Sequence, residues 1–296
     1  MSISIIIPTL NAGEHIGALL DALSKQTIRA DEIIVVDSHS DDHTAGIVSR
    51  YEHVRLMQIE RNVFDHGGTR DMALRESSGE FVLFLTQDAL PEDDEYIERL
   101  LAPFEDPSIA AVGGRQKAYP DARPFERAVR EHNYPDRSFV WSARDIDSLK
   151  VRAFLISDCC SAYRRSAYLK VGGFDQPIMT NEDMLIAEKL LHKGYKLAYC
   201  GDAVVLHSHN LTFMQQYRRN YIVGRTMQRY AERFEHVSEI ETGKKLAFAV
   251  FARLIKEREY AECICFMADC AARLLGNRAG RWMERRRMRG ANSKDR

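Results

Sequence analysis

Apolar residues in the first 90 positions of the chain follow two alternating patterns. Short runs rich in Ile, Val, Leu and Phe are typical of strands buried on both faces, and they occupy Ile3–Ile7, Ile33–Val36, Val54–Ile59 and Phe81–Leu85. Apolar residues at a spacing of three or four are typical of amphipathic helices, and segments of this kind follow the first three runs at His15–Lys25, Thr44–Tyr51 and Gly68–Ser77. The alternation predicts an α/β fold with a mainly parallel, Rossmann-like sheet flanked by helices. Its ligand should bind at the carboxyl ends of the strands.

The chain beyond about residue 215 has a different pattern. Phe213–Arg229 and Thr242–Leu275 show helical periodicity with one apolar face. We therefore predict two regions: an α/β domain over residues 1–215 and a helical extension over residues 216–296. The extension is expected to pack on the core or on another subunit of a homo-oligomer.

Composition places the chain among folded proteins, because 296 residues with 45% hydrophobic side chains can bury a sizeable core. The formal net charge of −1 argues against nucleic-acid binding, which usually requires a basic excess. The charge is segregated, however. Residues 276–296 hold eight Lys or Arg and two acids, so this tail carries +6 and the rest of the chain −7. With Trp282 and Met283, such a tail fits contact with an anionic lipid surface, and a solvated tail is the alternative.

The six cysteines point to a reducing compartment, because they have neither C-x-x-C spacing nor the density of a secreted disulfide framework. The first residues lack the basic segment of a signal peptide, and no apolar run approaches the roughly 20 residues that cross a bilayer. We expect a cytoplasmic protein, peripheral on the inner face of the cell membrane if the basic tail binds lipid.

Polar side chains stand directly after the predicted strands. Thr9 and Asn11 follow the first strand, Asp37 the second and Asp88 the fourth. Each alone could form a turn or cap a helix, but carboxyl ends of parallel strands share an edge, which favours a common site. The chain has no G-x-G-x-x-G and no P-loop. A nucleotide would instead be held by Asp37 through a base N–H or ribose hydroxyls. Its phosphates would be met by a divalent cation and an arginine such as Arg70.

Asp88 is the strongest metal candidate in the first half of the chain, because a hard carboxylate oxygen emerges there at a strand end. His207 and His209 follow another apolar run, Ala203–Leu206. If the strand continues, their spacing of two directs the imidazoles to opposite sides, so one of them is expected to join Asp88. The alternative is that Asp88 caps a helix that begins near Pro91 to Tyr96.

Glu182 and Asp183 precede a segment with strong helical periodicity that ends at Gly194. Carboxylates at a helix amino terminus are stabilised by unpaired amides and by the helix dipole, so capping alone would explain them. The functional interpretation is that one of the pair deprotonates an acceptor hydroxyl as a general base. For Arg70, which follows Gly67 and Gly68, the alternative to phosphate binding is an exposed position near a helix cap.

Several of these segments stand in a characteristic order: Ile5–Asn11, Val35–Ser38, Thr86–Ala89, Val171–Asp175 and Asn181–Asp183. In that order and spacing they resemble the family 2 glycosyltransferases of GT-A fold, over about residues 3–230. Three further segments resemble the rhamnosyltransferase branch of this family in particular: His66–Arg70, Gln87–Ala89 and His207–Asn210.

The resemblance implies an inverting transfer of L-rhamnose from dTDP-L-rhamnose to a surface-polysaccharide or lipid-linked oligosaccharide acceptor. It implies Asp183 as the general base, with Glu182 as its orienting neighbour. It also implies Mg²⁺ or Mn²⁺ bound by Asp88 and His207, with His209 as the alternative to His207. Asp88 stands in the place of the family's D-x-D aspartate, where this chain has a single carboxylate. The implied nucleotide-binding residues are Thr9, Asn11, Glu14, Asp37, Arg70, Gln87 and Asp88.

Two other functions stay open from the sequence. One is a UDP-hexose-dependent enzyme of the same family, and the other is a non-catalytic assembly protein that binds a nucleotide sugar. The presence of Asp37, Asp88 and Asp183 favours catalysis. A nucleotidylyltransferase is disfavoured because its Gly-rich, basic first loop is missing after Ile7.

Overall fold

A computed structural model of the chain describes residues 1–235 and 239–292. Within those ranges nine strands join one sheet. The strands are β1 Ile3–Thr9, β2 Glu32–Asp37, β3 Val54–Gln58, β4 Phe81–Leu85, β5 Leu90–Pro91, β6 Ile109–Lys117, β7 Phe139–Trp141, β8 Cys160–Arg164 and β9 Lys196–Leu206.

Eleven α-helices are formed within the same ranges. They are α1 Ile16–Ser24, α2 Thr44–Val48, α3 His66–Glu76, α4 Tyr96–Leu101, α5 Pro124–Asn133, α6 Ile146–Leu149, α7 Arg165–Lys170, α8 Glu182–His192, α9 Phe213–Arg229, α10 Glu239–Lys256 and α11 Tyr260–Asn292. Short 3-10 helices lie at Arg61–Val63, Ala102–Glu105, Ala143–Asp145, Lys150–Phe154 and Ala231–Phe234.

The first half of the sheet has the predicted parallel arrangement, in the order β3-β2-β1-β4. Every residue of β1 and β4 is buried, as the continuous apolar runs require for strands covered on both faces. Thr9 pairs in register with Asp37, so β1 and β2 end at the same level. The α/β fold with an initial parallel sheet is confirmed.

The second half of the sheet makes it mixed. β8 runs antiparallel to both β4 and β6, while β9 runs parallel to β6. Because Leu85 pairs with Cys160 and Lys117 pairs with Leu206, the amino end of β8 lies at the edge where β4, β6 and β9 end. Residues that the chain separates widely are therefore brought to one edge of the sheet.

The chain divides into two compact units. The first comprises Met1–Tyr119, Tyr134–Ile178 and Glu182–His207, and it contains the whole sheet. The second comprises Pro120–Asn133, Met179–Asn181 and the chain from Ser208 onward. The domain boundary at 215/216 stays a prediction. The tail residues Lys294, Asp295 and Arg296 lie outside the described residues.

The second unit is helical, as predicted. Helix α9 has the expected bounds, whereas the segment predicted as Thr242–Leu275 is divided between α10 and α11, with Arg258 at a φ of 61° between them. Helices α9 and α11 approach closely at glycines: a Cβ on Gly280 would lie 2.0 Å from the Tyr221 carbonyl oxygen. No helix in the described ranges is long and apolar enough to cross a membrane.

Candidate active site

Side chains from five strands meet at one edge of the sheet in the first unit. Thr9 ends β1, Asp37 ends β2, and Asp88 lies three residues beyond β4. His207 directly follows β9, and Gln116 lies near the end of β6. The structure therefore brings the ends of these strands to one edge, where β6 and β9 of the mixed half add Gln116 and His207, and a shared site at this edge stays a prediction.

The carboxylate of Asp37 is fully buried and held by hydroxyl and amide donors. Its Oδ1 accepts hydrogen bonds from Thr9 Oγ1 at 3.1 Å and from the Ser40 hydroxyl, and its Oδ2 accepts one from the Ser40 amide at 3.0 Å. A carboxylate has about four acceptor positions, so these three bonds leave one on Oδ2. Oδ2 of Asp37 therefore keeps one acceptor position, although no surface of the side chain is exposed.

The loops after β1, β2 and β4 are tied together by two amide side chains. Gln87 accepts from the Leu10 amide at 2.8 Å and donates to the Leu10 carbonyl at 3.2 Å. Asn11, in the left-handed region with a φ of 52°, accepts from the Asp41 amide at 2.9 Å. Glu14 is exposed in the turn before α1. Gln87 and Asn11 thus shape the loops beside Asp37, and Glu14 offers a free surface carboxylate position at their rim.

Asp88 and His207 form the candidate metal site. The Asp88 Oδ1 and His207 Nε2 atoms are 3.6 Å apart, and both side chains are mostly buried. On its other side, His207 Nδ1 lies 2.9 Å from Gln116 Oε1, and Gln116 Nε2 donates to the Tyr134 hydroxyl at 3.0 Å. Because an amide oxygen accepts only, His207 Nδ1 donates to Gln116 Oε1, and Nε2 is the ring nitrogen that faces Asp88.

The distance between Asp88 Oδ1 and His207 Nε2 fits the binding of one small divalent cation by both atoms. Ligand atoms that share one ion at about 2.1 Å each stand roughly 3.0–3.5 Å apart, close to the observed separation. The alternative role for Asp88 is wrong, because Glu95 precedes α4 at its cap position and the helix begins at Tyr96. His209, the alternative histidine, belongs to the second unit.

Arg70 and Glu182 form a buried ion pair. Arg70 Nη1 lies 3.2 Å from Glu182 Oε1, with only 4% and 8% of the two side chains exposed. The same nitrogen lies 3.1 Å from His66 Nδ1 and 3.2 Å from the His66 carbonyl oxygen. The exposed position considered for Arg70 is therefore wrong. Its guanidinium is committed to Glu182 and to the first turn of α3, and this fixes the orientation of Glu182.

Asp183 follows Glu182 in the first turn of α8 and keeps partial exposure. Burial of its carboxyl raises its pKa well above the usual range, and the neighbouring charges of Glu182 and Asp158 raise it further. The Met184 amide donates to Asp183 Oδ1 at 2.8 Å and opposes this shift. A carboxylate with raised proton affinity and an accessible side has the properties of a general base.

Asp158, just before β8, is the residue of this cluster that the sequence reasoning missed. Its Oδ1 accepts from the hydroxyls of Ser161 and Tyr163, each at 2.7 Å, while its Oδ2 is buried without a hydrogen-bond partner. Burial raises the pKa of Asp158 to about 7, although the charge of Arg70 opposes the shift. The sequence does not mark this residue, because the strand that follows it, β8, is Cys-Ser-Ala-Tyr-Arg and is not a continuous apolar run.

Comparison with known proteins identifies relatives for most of the chain. Residues 4–172 match the family described as "Glycosyl transferase family 2". The O-antigen chain rhamnosyltransferase RfbN of Salmonella typhimurium is 41% identical over 225 residues, which are 76% of this chain and 72% of that protein. The O-antigen chain rhamnosyltransferase WbaN of Salmonella anatum is 39% identical over 225 residues, 75% of this chain and 71% of that protein.

Solved structures share the fold. The mannosyltransferase PcManGT of Pyrobaculum calidifontis, in complex with GDP-Man and Mn²⁺, superposes with a TM-score of 0.62 at 18% identity, covering 95% of this chain and 86% of that one. TarS 1–349 of S. aureus, in complex with UDP, superposes with a TM-score of 0.58 at 18% identity, covering 97% and 92%. The predicted GT-A architecture is thereby confirmed.

Proposed function

The chain belongs to glycosyl transferase family 2, and we propose that it transfers L-rhamnose from dTDP-L-rhamnose to a surface-polysaccharide or lipid-linked oligosaccharide acceptor, with inversion at the anomeric carbon. The observation that carries the catalytic part is Asp183, a carboxyl with raised pKa beside the fixed Glu182–Arg70 pair. The identity of 41% with an O-antigen rhamnosyltransferase supports the choice of sugar.

The donor nucleotide is assigned to the loops that follow β1, β2 and β4. The remaining acceptor position on Asp37 Oδ2 receives an N–H of the base, and the ordered turn at Asn11 lies beside it. Gln87 contributes to the nucleotide pocket by its hydrogen bonds to the Leu10 backbone, which keep the loops after β1 and β4 in position. Thr9 acts by fixing Asp37. Glu14 is assigned to the outer rim of this pocket.

The donor diphosphate is assigned to the edge at Asp88 and His207. These two side chains would hold Mg²⁺ or Mn²⁺, which when bound supplies positive charge to stabilise the leaving diphosphate. The protein orients these two metal-binding residues by hydrogen bonds. Gln116 accepts from His207 Nδ1, and the Tyr119 hydroxyl donates to the Asp88 carbonyl oxygen at 3.2 Å. Such orienting contacts set affinity as well as geometry.

The transfer step uses Asp183 as the base. The acceptor hydroxyl oxygen forms a bond to the anomeric carbon while the bond from that carbon to the diphosphate oxygen breaks, and the hydroxyl proton passes to Asp183. Raised proton affinity makes that transfer more favourable than it would be for an exposed aspartate. Glu182 is tied to Arg70, so it orients the start of α8 beside Asp183.

The test combines a donor panel with two matched variants. Purified protein is supplied with dTDP-rhamnose, UDP-hexoses or GDP-sugars, with and without Mg²⁺ or Mn²⁺, and nucleotide release and product are measured. We expect dTDP-rhamnose with metal to give the highest kcat/KM. Asp183→Asn should lower kcat by a factor of about 10³ or more while dTDP binding is retained. Glu188→Gln, on the same helix, should keep normal turnover.

Each alternative has its own outcome. Preference for a UDP-hexose would replace the rhamnose assignment and leave the base assignment standing. Binding of dTDP-rhamnose without turnover, in wild type and variant alike, would indicate a non-catalytic assembly protein. Normal turnover in Asp183→Asn would refute the base assignment.

The setting proposed for this reaction is the cytoplasm, at the inner face of the cell membrane, where a nucleotide sugar and a lipid-linked acceptor meet. The basic tail supports a peripheral contact with anionic lipid. Self-association through the helical region is the remaining proposal about partners, and no nucleic-acid partner is proposed.

A further inference from the structure

One side of helix α11 exposes apolar residues that no part of the described chain covers. Ile264, Met267, Leu274 and Leu275 each have more than half of their surface exposed. At 100° per residue they fall within about 100° of arc, so they form a continuous strip along the helix. We call these four residues the apolar stretch. Large exposed apolar patches mark surfaces that bind a partner or a membrane.

The same side of α11 becomes basic toward its carboxyl end. Arg278, Trp282, Arg286 and Arg289 are all exposed, and together with the apolar stretch they fall within about 120° of arc. The Arg286 guanidinium stacks 4.7 Å from the centre of the Trp282 ring. We call these four residues the basic stretch, and both stretches together the outer face. It extends about 38 Å from Ile264 to Arg289, at 1.5 Å per residue.

The carboxylates of α11 lie on the opposite side, paired with arginines. Glu284 is fully buried and binds Arg225 at 3.0 Å. Asp269 is 8% exposed and binds Arg273 at 2.6 Å, and Glu262 lies 3.0 Å from Arg123. Within the described part of α11, the outer face therefore carries cations and apolar groups without a carboxylate among them. A helix that is only a solvated surface would ordinarily mix both signs of charge.

We propose that the outer face of α11 binds the surface of an anionic lipid bilayer. The apolar stretch enters the boundary between headgroups and acyl chains, and the arginines of the basic stretch bind lipid phosphates. Trp282 has an apolar ring with a polar N–H, which suits the same boundary. This contact surface is larger than the charged tail alone, because it begins at Ile264. The apolar stretch determines how deeply the helix enters the bilayer.

Charge complementarity favours lipid over a second copy of the chain. Two outer faces paired in parallel would set Arg278 and Arg289 against the same arginines of the other copy, and like charges in contact are repulsive. Paired antiparallel, they would set arginines against Ile264 and Met267 and bury cations without counter-charges. An anionic lipid surface provides phosphates for one stretch and acyl chains for the other.

The test measures binding of the full-length protein to vesicles. Vesicles of phosphatidylcholine alone are compared with vesicles that also contain phosphatidylglycerol, by flotation and by tryptophan fluorescence. The chain has two tryptophans, and Trp141 is buried with 4% exposure, so a blue shift on binding reports Trp282. We expect binding only to the anionic vesicles, weakened by salt.

Two variants separate the stretches. The triple variant Arg278→Glu, Arg286→Glu and Arg289→Glu should weaken vesicle binding by about 100-fold, at roughly fivefold per arginine. The double variant Ile264→Ser and Leu274→Ser should weaken it by about tenfold or more and abolish the blue shift. Circular dichroism verifies that each variant is folded.

The controls use exposed residues outside α11. Arg144→Glu and Val63→Ser change an exposed arginine and an exposed valine of the first unit, and both should bind vesicles as wild type does. Transfer to a short water-soluble acceptor should be unchanged in all variants. Absence of this transfer in the wild type, with its vesicle binding intact, would count against the proposed function alone.

Three results would overturn the inference: equal binding to neutral and anionic vesicles, no binding to either, or full binding by the triple variant. A dimer in sedimentation velocity that the double variant dissociates, with no vesicle binding, would assign the outer face to a second copy instead.

Discussion

Replacing Asp158 by asparagine removes a buried titratable group and keeps the size and shape of the side chain. The pKa of Asp158 is raised from its ordinary value of 3.8 to about 7, and burial is the main cause. Each unit corresponds to about 1.4 kcal/mol, so a folded protein with ionised Asp158 is destabilised by about 4 kcal/mol relative to one with the neutral group.

The sign follows from proton binding. Because the pKa is higher in the folded state, the stabilising effect of the bound proton is complete below about pH 4 and is lost as the pH rises through 7. Between pH 5 and pH 8 this loss amounts to about 2–3 kcal/mol in the wild type. Asparagine does not titrate. The variant should therefore gain about 2–3 kcal/mol relative to wild type over the same range.

The gain is a change with pH and not an absolute stabilisation. Asparagine Oδ1 can still accept from Ser161 and Tyr163, but its amide N–H groups occupy the place of the Oδ2 atom that has no hydrogen-bond partner. A buried donor without a partner costs about 1–3 kcal/mol at every pH. We expect the variant to be less stable than wild type at pH 5 and to approach or exceed it at pH 8.

The assay is urea unfolding from pH 5 to pH 8 in a Trp282→Phe background, so that fluorescence reports Trp141 in the first unit. Asp147→Asn, at an exposed carboxyl of α6, is the matched control and should show a constant difference from wild type. If the stability of Asp158→Asn relative to wild type stays constant or falls as the pH rises, Asp158 does not hold a proton near neutrality and the reasoning fails.

Two further predictions concern the metal site and the helical unit. Gln116→Leu should weaken Mn²⁺ binding by about 10- to 100-fold, measured by calorimetry, because His207 loses the acceptor that fixes its ring; unchanged affinity would exclude this orienting role. Gly280→Ala should lower the free energy of unfolding by about 1–3 kcal/mol, because its Cβ would collide with the Tyr221 carbonyl. Gly290→Ala, which meets nothing within 4 Å, should leave thermal stability equal or higher, and equal effects at both glycines would contradict the packing argument.

The first four strands could be predicted because each is a short apolar run buried on both faces, and burial leaves a direct trace in the sequence. The same apolar runs also indicated Asp37 and Asp88, because each is a polar residue that ends or closely follows such a run. The bounds of α9 were equally accessible, because an amphipathic helix shows a regular period and its start at Thr212 has the Thr-x-x-Gln pattern of a capping box.

Gln116 and Asp158 could not be predicted, because their surroundings come from strand pairing and not from local pattern. β8 consists of Cys-Ser-Ala-Tyr-Arg and β6 contains Ala and Gly, so neither has the β-branched composition that identifies a buried strand. Only the antiparallel register of Leu85 with Cys160 brings Asp158 to the edge where β4 ends. The ion pair of Glu182 with Arg70 could not be predicted for a similar reason, because Arg70 precedes Glu182 by 112 residues in the chain.

The distribution of charge at this edge bears on how a diphosphate donor can bind at all. Asp37 and Asp88 lie along it, and the buried guanidinium of Arg70 is already engaged by Glu182. Two donor phosphates would add negative charge to an acidic surface, and in a partly buried site such repulsion is only weakly screened. We therefore expect donor affinity to depend steeply on divalent cation, and nucleotide binding equally tight with and without Mn²⁺ would show that another cation on this chain meets the phosphates.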